Sequence, residues 1–272
     1  MKTALGDLDI RSASSVREAL SILRDEKRTP IAGATDVYVA LNFGTFTPTQ
    51  FINIWALVEL RAISIHDDKL VVGALTSYTS LIQSHLVAER VPMLADASRL
   101  VGGVQIQNRG TLGGNIANGS PAADGVPVLS ATDATVVLRS VDGERRIPIN
   151  SFYTGYRSTV MRPDELIVAI EIPPVKGKQW FRKVGTRQAQ AISKIVMAAV
   201  RAASPKIALG SVAPTVIRAK MTEQALASGA SIDEAAEVLG NEITPIDDVR
   251  STADYRRRVS VNLLRRFWAD TA

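Results

Sequence analysis

Thr111-Leu112-Gly113-Gly114-Asn115-Ile116-Ala117-Asn118-Gly119-Ser120-Pro121-Ala122-Ala123-Asp124 decides how this 272-residue chain is read. It concentrates backbone freedom and small polar side chains where a packed core would place neither. Adjacent glycines lack Cβ, so left-handed backbone is open to them, and several amides can then converge on an anion such as a pyrophosphate. Thr111, Asn115 and Ser120 add side-chain donors and acceptors, and Asp124 offers an acceptor for a polyol hydroxyl. The same residues also make good turns, so two connections that bind nothing stand as the competing reading.

A second stretch of this kind lies upstream, where Thr29-Pro30-Ile31 leads into Ala32-Gly33-Ala34-Thr35-Asp36. Thr35 or Asp36 can cap the apolar segment at 37–41, whose first amides suit phosphate. A plain strand-to-helix connection is the alternative. Neither stretch carries G-x-G-x-x-G or G-x-x-x-x-G-K-[ST], which argues against a Rossmann dinucleotide site and against a P-loop.

A 46% hydrophobic content over 272 residues can bury a sizeable core in two or three compact units. No apolar run nears the roughly 20 residues that span a bilayer, and the first seven residues lack the apolar centre of a signal peptide. A cytoplasmic protein without membrane contact is expected. With no cysteine and two histidines, His66 and His85, the chain forms no disulfide and cannot hold an iron–sulfur cluster by thiolates. No metal site and no catalytic residue is assigned. The net charge of +5, with Arg256-Arg257-Arg258 and Arg265-Arg266 on one expected helix, raises nucleic acid as a partner. No aromatics interleave with those arginines, so a solvated face or a subunit contact is favoured.

Along the chain, Ser15-Val16-Arg17-Glu18 has the form of a capping box before a helical apolar pattern at Val16, Ala19, Leu20 and Leu23. Residues 29–31 and 51–54 read as strands, and 62–65 with 70–73 as a hairpin turning at Asp67-Asp68. Residues 76–84 and 91–100 read as helices, the second interrupted by Pro92. A further hairpin joins 135–139 to 145–147 through Asp142-Gly143, and 166–172 alternates as a strand ending at Pro173-Pro174, where the domain boundary is placed. Beyond it, 180–184, 191–200 and 206–211 read as an antiparallel sheet, and 215–228, 232–239 and 253–268 as helices.

At its two glycine-bearing stretches the chain resembles the FAD-binding medium subunit of molybdenum hydroxylases, the xanthine dehydrogenase and carbon monoxide dehydrogenase group. That family writes A-G-G-[TH]-[DS] where this chain has Ala32 to Asp36, and Q-I-R-N-x-G-T-[IL]-G-G-N-[IL]-A-N-[GA]-S-P-x-[AS]-D over residues 105–124. Asp164-Glu165-Leu166-Ile167, Phe181-Arg182-Lys183 and Ala208-Leu209-Gly210-Ser211 extend the likeness from about Ala13 to the C-terminus. The resemblance implies an α+β protein: an FAD-binding domain of the vanillyl-alcohol-oxidase and p-cresol-methylhydroxylase-like type, built of two α/β subdomains over 1–174, then a small antiparallel-sheet-plus-helices domain over 175–272.

It also implies FAD on this chain, with Ile31, Ala32, Gly33, Ala34, Thr35 and Asp36, together with Thr111, Gly113, Gly114 and Asn115, around the pyrophosphate and ribitol. Asp124 would bind hydroxyls, Ser120 would make small polar contacts, Ile167 would pack near the isoalloxazine, and Lys183 would stand close to that ring. A small subunit with [2Fe–2S] clusters and a large subunit with the molybdenum cofactor would be partners, in a dimer of heterotrimers passing electrons to NAD or another acceptor. Gln107 and Ala34 depart from the family's usual Arg and Gly, and the 201–205 connection is short. Arg109 could pair with phosphate or brace the second stretch, and bracing is preferred. Two alternatives remain: a self-contained FAD oxidoreductase of the same fold group, and an assembly module that has lost the cofactor.

Overall fold

The first helix shows how local signals set the frame. In the computed structural model, which describes residues 8–45 and 49–272, Ser15 caps α1 (Val16–Asp25) by accepting from the Glu18 amide. The Glu18 carboxylate returns one residue early, to the Ser14 amide at 2.8 Å, so the expected box closes on Ser14 rather than Ser15. Residues 1–7 lie outside the described residues. β1 (Asp9–Ser12), β2 (Thr29–Ile31) and β3 (Gln50–Asn53) form a sheet in the order β1-β3-β2, with both pairings parallel. Parallel neighbours need crossovers. Helix α1 lies between β1 and β2 in the chain, and α2 (Val37–Phe43) between β2 and β3. Val16, Ala19, Leu20, Ile22 and Leu23 bury one face of α1 with Ile52, Ile54 and Leu60.

The second unit is a five-stranded antiparallel sheet, in the order β4-β5-β10-β6-β7, with helices inserted between β5 and β6. Its strands are β4 (Ile63–His66), β5 (Lys69–Gly73), β6 (Thr135–Ser140), β7 (Gly143–Pro148) and β10 (Leu166–Ile172), with the small hairpin β8 (Tyr153–Gly155) and β9 (Ser158–Thr159) before the last. Asp67 and Asp68 turn the first hairpin with φ of 48° and 61°, the left-handed pair that matches strand twist. The inserted helices are α3 (Tyr78–Gln83), α4 (His85–Arg90), α5 (Pro92–Arg99), α6 (Val104–Arg109), α7 (Leu112–Asn118) and α8 (Gly125–Ala131). Pro92 opens α5 instead of interrupting it, because the first helical position needs no amide donor.

The last segment forms a four-stranded antiparallel sheet, β11 (Lys178–Val184), β12 (Ile195–Arg201), β13 (Lys206–Gly210) and β14 (Ile217–Arg218), with α9 (Lys220–Ala227), α10 (Ile232–Glu242) and α11 (Ala253–Asp270). The helix expected over 215–228 starts only at Lys220, because Ile217 and Arg218 pair with Leu209 and Ala208 as an edge strand. The short 201–205 connection is a hairpin in register, Val200 opposite Lys206. β12 is buried on both faces: Ile195, Met197 and Ala199 pack with the terminal helices, while Ala198 and Val200 join the core of the preceding unit. Alternation along one strand thus ties the two cores together.

Candidate functional site

The sheet β1-β3-β2 ends where the site begins. From Ile31 the backbone leaves β2, runs through 32–36 and enters α2. Among the described residues, no protein acceptor receives the amides of Gly33, Ala34, Thr35 or Asp36. Ala34 has φ of 61°, a left-handed angle that L side chains disfavour. Asp36 occupies the N-cap position of α2 without making a side-chain cap bond; its carboxylate lies 3.8 Å from Arg157 instead. Gly33 is required by contact: a Cβ there would sit 1.7 Å from the Arg109 carbonyl oxygen. The first stretch therefore lies directly on the backbone that leads into the second.

That second stretch is not a pair of left-handed turns. Thr111 is the N-cap of α7, and its hydroxyl accepts from the Gly114 amide at 3.1 Å, which places Gly113 and Gly114 in the first helical turn. The left-handed glycine is Gly119, the C-cap, with φ of 62°. The Leu112 amide donates to the Thr76 carbonyl, Gly113 to Ala74 and Asn115 to Thr111, so the helix start has no spare amides. Tertiary neighbours have taken them. The glycines serve close approach: a Cβ on Gly113 would meet the Ala74 Cβ at 2.7 Å, whereas one on Gly114 would meet only the Thr111 hydroxyl and otherwise open space.

Residues 120–124 fold back onto the C-terminal sheet. Ser211 donates its amide to the Pro121 carbonyl at 2.8 Å, and Ser193 its hydroxyl to the Ala122 carbonyl at 3.1 Å. The Ser120 hydroxyl accepts from the Ala122 amide. This docking brings Asp124, at the start of α8, to Lys183 on β11. Lys183 Nζ donates to Asp124 Oδ2 at 2.6 Å and to the Leu100 carbonyl at 2.9 Å, with both side chains under a tenth exposed. Burial outweighs the neighbouring ammonium and pushes the Asp124 carboxyl up to about 6. Asp124 Oδ1, Asn115 Oδ1 and the Tyr78 hydroxyl are buried without partners. They converge near Gly125, where a Cβ would lie 3.8 Å from Asn115 Oδ1 and 4.0 Å from the Tyr78 hydroxyl. Burial first, then the Asp124 charge, raises the Tyr78 phenol well above its usual range.

The expected residues thus form two groups. Ala32 to Asp36 supply unpaired amides beside the α6–α7 junction; Asn115, Asp124 and Lys183 supply buried polar groups around the start of α8. Ile167 is 6% exposed in the large core, at the β-bulge of β10. Among the described residues the Arg109 side chain makes no hydrogen bond to brace anything; its guanidinium lies 3.9 Å from the centre of the Trp55 ring. Tyr78, Trp55 and Arg157 were invisible as site neighbours in the sequence, because each reaches the site from a distant element and none stands in a motif. Their only signal is spatial.

A mixed sheet-and-helix scaffold with unpaired loop amides and unsatisfied buried acceptors fits the class of proteins that hold a large polar cofactor. Residues 6–175 match the family described as FAD binding domain in molybdopterin dehydrogenase, and residues 180–271 match the CO dehydrogenase flavoprotein C-terminal domain. The chain is 31% identical to the glyceraldehyde dehydrogenase medium chain of Sulfolobus acidocaldarius, covering 91% of this chain and 92% of that one. It is 30% identical to the carbon monoxide dehydrogenase medium chain of Hydrogenophaga pseudoflava, over 95% and 94%. The solved carbon monoxide dehydrogenase of the same organism superposes with a TM-score of 0.91 at 29% identity, covering 97% of this chain and 98% of that one. The chain belongs to the family of FAD-binding subunits of molybdenum hydroxylases, and so is an oxidoreductase component.

Proposed function

We propose that this chain binds FAD and relays electrons within a multi-subunit molybdenum hydroxylase. It receives them from the [2Fe–2S] clusters of a small partner subunit and passes them to NAD or another acceptor, while substrate is hydroxylated at the molybdenum cofactor of a large subunit. The assembly is a dimer of heterotrimers. Bound FAD supplies the redox chemistry, accepting and releasing electrons in one- or two-electron steps. In this reading 1–174 is the FAD-binding domain and 175–272 the C-terminal domain.

The observation that carries the reading is the row of four unpaired amides at Gly33 to Asp36, a ready complement to a diphosphate. In this reading Ile31 and Ala32 join them at that group, and Thr111, Gly113, Gly114 and Asn115 complete the site around the pyrophosphate and ribitol. A buried acceptor without a partner costs about 1–3 kcal/mol, so Asp124 Oδ1 and Asn115 Oδ1 favour a ligand that brings hydroxyl donors, as ribitol does. Ser120 adds a small polar contact, Ile167 packs near the ring system, and Lys183 holds positive charge close to the ring. Asp124 both orients that ammonium and partly neutralises it. These 272 residues have no thiolate to carry a cluster, which supports an electron donor on a partner subunit.

Expression of the full chain with its partners, followed by flavin, iron and molybdenum analysis, tests this. Stoichiometric FAD, reducible by substrate only when all subunits are present, is expected. Reconstituted protein that stays colourless would overturn the flavin assignment, and substrate turnover by this chain alone would favour the self-contained enzyme.

A further inference from the structure

Trp55, two residues past β3, has two guanidiniums over its ring: Arg61 lies 4.1 Å and Arg109 3.9 Å from the ring centre. Both cations therefore lie against the one indole. Such a stack places two like charges together, and neither is neutralised. Among the described residues no carboxylate pairs with either arginine.

The two members differ in freedom. Arg61 is spent inward, donating to the Leu75 carbonyl at 3.3 Å and to the Trp55 carbonyl. Arg109 is exposed and, among the described residues, its guanidinium donates to none and rests on the Trp55 ring. Its position singles it out, because its carbonyl oxygen lies directly under Gly33, the first of the four unpaired amides. A planar guanidinium with five donors and no acceptor is matched to phosphate oxygens. Stacking on an aromatic face orders the side chain while leaving its N–H edge free.

We infer that Arg109, parked on Trp55 and held outward by the charge of Arg61, is a diphosphate-binding residue that supplements the amides of 33–36. This rests on the flavin reading above. Trp55 and Arg61 are positioning residues: one is the platform, and the other is a fixed cation that favours any ligand able to neutralise the pair.

The test uses the full chain freed of flavin, titrated with FAD, with ADP and with riboflavin at several salt concentrations, as wild type and as Arg109→Gln, Arg109→Lys and Trp55→Leu. Arg109→Gln is expected to weaken FAD and ADP by about 10–100-fold, to flatten the salt dependence of both, and to leave riboflavin unchanged. Arg109→Lys should keep the salt slope with an intermediate affinity, and Trp55→Leu should weaken FAD while keeping that slope. Unaltered circular dichroism separates these effects from misfolding. If wild type binds FAD and Arg109→Gln binds it equally well, or loses riboflavin in parallel, the inference fails and the flavin reading stands. A loss confined to subunit assembly would likewise overturn it, assigning Arg109 to an acidic partner surface. If wild type binds neither FAD nor ADP, the flavin reading itself has failed.

Discussion

Lys183 and Asp124, 59 residues apart in the chain, form a buried ion pair at 2.6 Å that joins β11 of the C-terminal sheet to the start of α8. The pair carries a pH signature. Burial raises the folded-state pKa of Asp124 from 3.8 to about 6, so between those values the folded chain binds more protons than the unfolded one. The contribution of this group is therefore fully present below pH 3.8 and is lost as pH rises through about 6. Denaturant titrations of the flavin-free protein at pH 4.5 and 7 should show it, with a size on the order of 1–3 kcal/mol. Asp124→Asn should remove that component of the slope; an unchanged slope would show that the carboxyl does not titrate there.

Ala34 holds a left-handed φ of 61° that costs an L residue about 1–2 kcal/mol. Glycine relieves that strain but adds freedom to the unfolded chain. Ala34→Gly should raise stability by less than about 1 kcal/mol and leave flavin content unchanged, since the amide row is backbone. A fall in melting temperature would contradict this account of residue 34.

Gly114 faces open space apart from the Thr111 hydroxyl at 2.8 Å. Gly114→Val should cost about 1 kcal/mol or less, because the strained cap contact offsets the gain of replacing a helical glycine. Its methyl groups would occupy the open side of the helix, so the protein should fold yet purify without flavin. Folded, fully yellow Gly114→Val protein would remove α7 from the flavin site.

Among the described residues the buried Tyr78 hydroxyl finds no partner. In protein freed of flavin, Tyr78→Phe should therefore stabilise the fold by about 1–2 kcal/mol, the penalty of an unpaired buried hydroxyl. The gain should shrink or reverse when flavin is present if the hydroxyl then finds a partner. Paired melting curves with and without FAD measure both.

Much of the frame was legible in the sequence, because its causes are short-ranged. The apolar spacing at Val16, Ala19, Leu20 and Leu23 specifies α1, Asp67-Asp68 can take the left-handed angles its hairpin needs, and the alternation over 166–172 marks β10. The glycine-bearing stretches read as a ligand site because small residues leave room for something else, yet Gly33 and Gly113 are required by close approach of other chain segments. What those glycines do was not legible. Gly113 and Gly114 are helical because Thr111 caps them and the carbonyls of Ala74 and Thr76 receive the first amides, and Ile217 and Arg218 form a strand because β13 offers an open edge.

By itself, then, the sequence determined the elements whose signals are local, the two stretches and the absence of any thiolate in these 272 residues, while the α+β class came through the family resemblance. Only the tertiary structure decided that the free amides belong to the first stretch and not the second, that Lys183 meets Asp124, and that Arg109 rests on Trp55. The reason is physical: propensity and periodicity act over a few residues, whereas a spare amide, a buried pair or a stacked cation depends on which distant groups packing brings within about 4 Å.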